Sequence, residues 1–166
     1  MSELETPPLV VTRYTARLAA VQALYQMDLV QTGVKTVIGE FAEHRFGHEV
    51  DGQHYSEADQ AFFEDLLNGV VREQVGVDET VTAHLAEGWK LSRLDSILRA
   101  VLRAGVYELM HRPDVPVKVV INEYLDVANA FFDGGDEPSV VNGVLDKVAR
   151  HARAREMGKG DGGKSA

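Results

Sequence analysis

The chain has 166 residues, of which 45% are hydrophobic and 26% are charged, and its net charge at pH 7 is −9. This length and composition are typical of one folded domain with a substantial core, and they argue against disorder throughout. Because the chain has no cysteine, disulfides, thiolate metal ligands and a cysteine nucleophile are excluded. The N-terminus does not resemble a signal peptide, and no apolar stretch approaches the roughly 18 residues that a membrane span requires. We therefore expect a cytoplasmic protein.

Helical periodicity dominates the first half of the chain. Residues 13–31 are predicted to form a helix after a flexible arm of residues 1–12, and residues 44–55 are predicted to form a loop. Ser56 and Asp59 resemble the start of a capped helix, and residues 78–88 are predicted to add a short one. The side chains expected to face the core of this half are Leu18, Val21, Leu24, Tyr25, Leu29, Phe63, Leu66, Leu67, Val70 and Val71.

The second half has the clearest helical pattern. Apolar side chains recur at steps of three and four along residues 94–112, and Pro113 ends the helix. A further helix is predicted from Pro116 or Val117, and residues 133–138 are predicted to form a loop. Ser139 is the expected N-cap of the next helix. The side chains expected to face inward are Leu94, Ile97, Leu98, Val101, Leu102, Gly105, Val106, Leu109, Val120, Ile121, Tyr124, Ala128, Phe131, Val141, Val144, Leu145 and Val148.

These elements predict an all-α fold, a bundle of about six or seven helices with no convincing strand. We expect a single all-helical domain over residues 13–155, followed by a flexible Gly/Lys-rich tail over residues 156–166.

The charge is unevenly distributed along the chain. Residues 32–80 carry three basic and eleven acidic side chains, whereas residues 147–166 carry six basic and two acidic ones. A polyanion would be attracted to the C-terminal end and repelled by the middle. Uneven charge is also common on ordinary surfaces, so both interpretations stay open.

Two patterns that resemble ligand sites are expected to be incidental. Residues 158–165 satisfy the G-x-x-x-x-G-K-[ST] pattern, but a phosphate-binding loop needs a strand before it and a helix after it. His44, His48 and His54 could gather around a metal, yet they lack the spacing of a zinc motif. We expect solvated loop residues, no metal site and no cofactor. No arrangement of residues suggests catalysis, so we expect that the protein is not an enzyme.

Two pairs of arginines indicate a function better than the phosphate-loop pattern or the histidines do. Arg13 and Arg17 are four residues apart and share one face of the first helix, and Arg99 and Arg103 do the same on a later helix. Arginine can pair with phosphate and stack on unpaired bases, and Tyr14 could supply a stacking ring. The alternative is a salt-bridged helix surface, because acidic residues lie at nearby helical positions.

A set of short motifs follows in a fixed order along nearly the whole chain. The motifs are A-V-Q-A-L-Y-Q at residues 20–26, I-L-R-A-V-L-R at residues 97–103, V-Y-E-L at residues 106–109, D-V-P at residues 114–116, V-V-I-N-E at residues 119–123 and V-N-G-V-L-D-K at residues 141–147. The most specific combination is the I-N-E of residues 121–123 followed by V-N-G-V-L-D-K. In this order the motifs resemble those of the NusB family.

The resemblance implies a fold of two packed helical halves and a role in transcription antitermination without catalysis. It implies binding to boxA-type single-stranded RNA of ribosomal RNA leader transcripts. It also implies a partner, the small-subunit ribosomal protein NusE, and action within the RNA polymerase elongation complex. A homodimer is a further possibility that the sequence leaves open.

Site residues follow from the same resemblance. Arg13 and Arg17 match the RNA-contacting helix, although the family has a denser arginine cluster there. Tyr25 and Asp136 match positions near the partner protein. The complete set of expected RNA-binding residues is Arg13, Tyr14, Arg17, Arg99, Arg103 and Lys147.

Val140 stands where the family often has an aromatic ring, and Gly105 and Gly143 are expected to allow close helix packing. The net charge of −9 and the thinned arginine cluster support an alternative function, a helical protein–protein interaction module with little RNA affinity of its own.

Overall fold

The structure is a computed structural model that describes the backbone of residues 9–44, 49–50, 53–54 and 59–160, and the side chains of residues 12–43 and 59–158. Within these ranges the fold belongs to the all-α class, as predicted, and it contains eight α-helices, one short 3-10 turn and one pair of two-residue strands. The elements in chain order are α1 Leu9–Val30, α2 Val34–His44, β1 Glu49–Val50, β2 Gln53–His54, α3 Gln60–Arg72, α4 Gln74–His84, the 3-10 turn Leu91–Arg93, α5 Ser96–His111, α6 Val117–Phe131, α7 Glu137–Ala152 and α8 Ala154–Gly160.

Several predicted boundaries are wrong. Helix α1 begins at Leu9, inside the predicted arm, and α2 occupies a stretch for which no helix was expected. The predicted loop contains a two-residue antiparallel pair, in which Glu49 lies opposite His54. Helix α8 covers residues assigned to the flexible tail. Residues 1–8 and 161–166 lie outside the described residues, and the prediction of one domain over residues 13–155 stays a prediction.

The chain forms two compact units, Met1–Asn68 and Gly69–Ala166. In the first unit, α1 buries a face of alanines and aliphatic side chains, and the Phe41 and Phe63 rings stack with their centroids 5.3 Å apart. Asp59 caps α3 by accepting a hydrogen bond from the Phe62 backbone N–H at 3.0 Å. Helix α1 ends where Gln31 adopts a φ of 56°, and Leu29 before it is 58% exposed, so its predicted place in the core is wrong.

In the second unit, α5 is the central helix and packs against α4, α6 and α7. Its N-terminus is capped by the Asp95 carboxylate, which accepts from the backbone N–H groups of Ile97 and Leu98 at 2.8 and 3.3 Å. Most predicted core residues are buried, but Val71 is exposed. Ser139 is not the N-cap of α7, because the helix already begins at Glu137.

Arg153 fastens the C-terminal end of α5. Its buried guanidinium donates to the carbonyl oxygens of Leu109, Arg112 and Glu108 at 2.7, 2.8 and 3.2 Å. It also donates to Glu156 at 2.7 Å, and the other oxygen of that carboxylate accepts from the backbone N–H of Val117 at 2.8 Å. The expected tail boundary at residue 156 is therefore too early, since Glu156 joins α8 to the first turn of α6.

Gly105 packs closely, as expected, because a Cβ at this position would lie 3.0 Å from the Leu145 side chain and 3.4 Å from Tyr124. The Tyr124 hydroxyl donates to the Glu108 carboxylate at 2.5 Å, and both residues are fully buried. This bond pairs a buried carboxylate with a donor, as buried polar groups require. α5, α6 and α7 pack against one another in the second unit.

Candidate nucleic-acid interface

Arg13 and Arg17 both lie against one aromatic ring at the start of α3. Their guanidinium carbons are 4.5 and 4.8 Å from the centroid of the Phe62 ring, within the range of a cation–π contact. Arg13 Nε also lies 3.5 Å from the Asp59 carboxylate, and the Arg13 side chain is 26% exposed. The cluster of Arg13, Arg17, Asp59 and Phe62 thus joins α1 to the capped start of α3.

The two arginines differ in their access to solvent. Arg17 is only 1% exposed, so its guanidinium cannot reach an RNA phosphate in this conformation. Arg17 shares a helix face with Arg13, since both guanidinium groups lie over the Phe62 ring, but the Arg17 side chain is buried. Arg13 and the half-buried Tyr14 keep part of their surface open. Helical spacing shows which residues share a face, but it does not show which end of a long side chain is buried.

Arg99 is held by the turn that precedes its own helix. Its guanidinium donates to the carbonyl oxygens of Leu91 and Leu94 at 3.1 and 3.2 Å and to the Ser96 hydroxyl at 3.3 Å. Arg99 therefore satisfies the carbonyls of the 3-10 turn. This geometry favours the structural interpretation over a phosphate contact.

Arg103 forms a two-point contact with Asp78 of α4. Its Nε and Nη2 donate to the two carboxylate oxygens at 2.8 and 3.0 Å, and the Arg103 side chain is only 13% exposed. Such bidentate geometry is the strong form of an arginine–carboxylate pair. The pair fastens α4 to α5, and it leaves little of the cation for RNA.

Arg72, in the last turn of α3, is also engaged. It donates to Glu73 at 3.0 Å and to the Tyr107 hydroxyl at 3.4 Å. These two hydrogen bonds, that to Glu73 first, raise the pKa of the guanidinium, which therefore stays charged.

Lys147 is exposed on α7, beside a shallow groove of about 200 Å³. One wall of the groove is a face of α7, where positions repeat every three or four residues. The other wall is the end of α4 and the chain that follows it. The residues that line the groove are His84, Ala86, Trp89, Ser139, Val140, Gly143, Val144 and Lys147. We call this feature the α7 groove.

Trp89 is the residue of the α7 groove that the sequence interpretation missed as a candidate. It follows a tight turn in which the Trp89 backbone N–H donates to the Ala86 carbonyl at 3.1 Å and Gly88 adopts a φ of +96°. Glycine takes this conformation without the steric cost that a side chain adds. The turn leaves Trp89 39% exposed. The signal in the sequence was a lone tryptophan next to a glycine after a helix.

Gly143 does not mark a close contact between helices, although the sequence predicted one there. A Cβ at this position would meet no atom of the described side chains or backbone within 4 Å, so close helix packing is not the reason for a glycine there. Gly143 instead lies in the wall of the α7 groove, opposite open space. The absent side chain keeps the groove open beside Trp89.

The expected partner-binding residues lie in different units. Tyr25 is half-buried on α1, one turn before Leu29 and Val30, which are each 58% exposed. Exposed aliphatic side chains beside an aromatic ring are typical of a protein-binding surface. Asp136 is exposed just before α7, where its carbonyl accepts from the Val140 backbone N–H at 3.2 Å.

The described residues contain no group of three or more side chains that could hold a metal ion. The histidines considered as metal ligands fall in residues 44–58, whose side chains lie outside the described part.

None of the helices described here is both long and apolar enough to cross a membrane. The pattern at residues 158–165 begins inside helix α8, whereas a phosphate-binding loop needs a strand before it.

The described part of the chain is a helical protein with an exposed tryptophan and an exposed lysine at one groove of its second unit. The NusB family model matches residues 14–150. The chain is 55% identical to the transcription antitermination protein NusB of Rhodopseudomonas palustris over 148 residues, which is 89% of this chain and 87% of that protein. It is also 55% identical to the NusB protein of Caulobacter vibrioides, over 85% of this chain and 94% of that one. The chain therefore belongs to the NusB family.

Solved structures share the same fold. Thermotoga maritima NusB superposes with a TM-score of 0.72 at 26% identity, covering 93% of this chain and 99% of the other. A second similar chain comes from a crystal structure of the antitermination factors NusB and NusE in complex with double-stranded RNA. It has a TM-score of 0.67 at 23% identity and covers 82% of this chain and 95% of that one.

Proposed function

We propose that the protein binds boxA-type single-stranded RNA together with the ribosomal protein NusE and supports ribosomal RNA transcription within the RNA polymerase elongation complex. The observation that carries the proposal is the similarity to curated NusB antitermination proteins at 55% identity over 89% of the chain. A fold neighbour crystallised with both NusE and double-stranded RNA is consistent with a complex of these components.

Three of the expected RNA-binding residues keep exposed surface for this role. Arg13 and Tyr14 do so on α1, and Lys147 does so at the α7 groove. Arg17, Arg99 and Arg103 support the interface indirectly, because their guanidinium groups are engaged inside the protein. The number of direct phosphate contacts is therefore small, and RNA affinity depends strongly on the partner.

Two NusE contacts are proposed, one on each unit, at the end of α1 and at the start of α7. Tyr25 with Leu29 and Val30 offers apolar surface, and Asp136 offers an exposed carboxylate for a basic partner. Ribosomal proteins bind RNA with basic surfaces, so a carboxylate here favours the correct orientation of the pair.

The role proposed is one of binding without catalysis. An adaptor that acts on nascent transcripts works where RNA polymerase works, which places the protein in the cytoplasm. Its contribution is to bring RNA and NusE together, and it needs no bound cofactor for that purpose.

A salt-titrated binding assay tests the proposal. Labelled boxA RNA and a scrambled RNA of equal length are each titrated with the protein, with and without NusE. We expect a preference for boxA that strengthens with NusE and falls linearly with the logarithm of salt concentration, with a slope of about 0.7 for each phosphate contact. NusE binding without any boxA preference would instead support the alternative, a protein–protein interaction module, whose basis is the engagement of three arginines inside the chain.

A further inference from the structure

The α7 groove brings together an aromatic ring, a cation and open space. Trp89 is exposed on the wall that follows α4, and Lys147 is exposed on the α7 wall, to which Val140 and Val144 add apolar surface. Tryptophan is enriched at binding surfaces, where its ring supplies a large flat contact area. A ring next to an ammonium group is the combination that holds single-stranded nucleic acid, since every base has a π-face and every nucleotide a phosphate.

The dimensions favour one flat ring over a larger ligand. The groove measures about 200 Å³, below the roughly 300–1,000 Å³ of sites for drug-sized molecules. Its lining is mostly aliphatic and aromatic, and the polar groups are the Lys147 ammonium, the Ser139 hydroxyl and the His84 ring. His84 is already oriented, because its Nδ1 donates to the Thr80 carbonyl at 2.8 Å.

We propose that Trp89 is the stacking platform for one unpaired RNA base in the α7 groove, with Lys147 on the adjoining phosphate and Gly143 keeping the space for the base open. This inference rests on the proposed function and specifies a residue for it. The Gly88 turn orders the backbone at Trp89, which limits the positions that the ring can take before RNA binds. Such preorganisation lowers the entropic cost of binding.

The test uses the fact that Trp89 is the single tryptophan of the chain. The full-length protein is labelled with 5-fluorotryptophan, and its ¹⁹F resonance is followed during titration with boxA RNA, with NusE present. Binding itself is measured independently by the anisotropy of a fluorophore on the RNA. We expect the resonance to shift in proportion to the bound fraction.

Substitutions separate ring stacking from general apolar contact. Trp89→Leu is expected to weaken RNA binding roughly 5- to 150-fold, the range for loss of one base–aromatic stack. Trp89→Phe keeps a ring and should recover much of the affinity. Val75→Ala removes a different exposed apolar side chain, 75% exposed on α4, and should leave binding unchanged.

A second pair of variants tests whether RNA binding needs the open space beside Gly143 in the α7 groove. Gly143→Leu fills the groove and is expected to weaken RNA binding at least 5-fold while the urea midpoint stays the same or rises. Gly76→Leu is the matched control, because a Cβ at Gly76 also meets no atom of the described chain within 4 Å. This control should not change RNA affinity.

The outcomes are distinguishable. A shifted resonance together with weaker binding of Trp89→Leu and Gly143→Leu supports the proposal. RNA that binds with normal affinity while the resonance and both variants stay unchanged overturns the role of Trp89 and leaves the proposed function intact. Absence of boxA binding by the unmodified protein in the anisotropy assay overturns the proposed function, and the inference with it.

Discussion

Replacement of Arg153 by alanine is expected to destabilise the second unit strongly. The substitution removes the donor to three carbonyl oxygens at the end of α5 and the partner of Glu156. Each buried acceptor left without a donor costs about 1–3 kcal/mol, and breaking a buried pair from one side costs about 3–5 kcal/mol. Because water can reach some of these carbonyls at the helix end, we expect a loss of about 3 kcal/mol, toward the lower end of that range.

Urea unfolding followed by far-ultraviolet circular dichroism and by Trp89 fluorescence measures this loss. With a denaturant slope of about 2 kcal/mol per molar, the midpoint should fall by about 1.5 M. Arg150→Ala is the matched control, since Arg150 is 65% exposed in its pair with Asp146 and should change stability by at most about 0.5 kcal/mol. Equal midpoints for Arg153→Ala and the unmodified protein would refute the structural role of Arg153.

Three further predictions concern α1 and the C-terminal end. Arg17→Ala should lower the free energy of unfolding by about 2 kcal/mol, through lost packing and the lost cation–π contact with Phe62, whereas Arg13→Ala should mainly weaken RNA binding; a stable Arg17→Ala protein with weakened RNA binding would contradict this assignment. Gln31→Gly should raise stability by about 0.5–1 kcal/mol, because glycine tolerates the φ of 56°, and a lower urea midpoint would count against it. Truncation after Glu156 should leave the melting temperature unchanged, since Glu156 retains its bonds to Arg153 and Val117; a fall of several degrees would show that the last ten residues support the fold.

Much of the second unit could be predicted from the sequence. The apolar positions of α5 repeat at helical spacing with little interruption, and Pro113 and Pro116 separate this helix from α6. The close approach at Gly105 was also predictable, because a glycine inside a strongly apolar helix face usually marks a packing contact. At these positions the helical pattern of the sequence and the packing in the folded protein lead to the same result.

The wrong predictions concern side chains whose position and partners depend on contacts with distant parts of the chain. Arg13 and Arg17 have the same spacing as a solvated pair, but Phe62, far along the chain, draws Arg17 into the interior. Arg103 meets Asp78 of another helix, and Arg153 meets the end of α5. Side-chain spacing within one helix contains no information about these partners. The same reason explains why Gly143 and Trp89, which belong to different segments, could not be placed in one groove from the sequence.

The measurement that tests the central claim most directly is a thermodynamic cycle with boxA RNA and NusE. The affinity for boxA is measured with and without saturating NusE, and the affinity for NusE is measured with and without saturating boxA. The account predicts that each ligand strengthens the binding of the other by the same factor, as linkage requires, of about 5-fold or more. A scrambled RNA should show no such coupling. If boxA and NusE bind independently, or if boxA binds no better than the scrambled RNA, the account of this chain as an RNA-binding adaptor is contradicted.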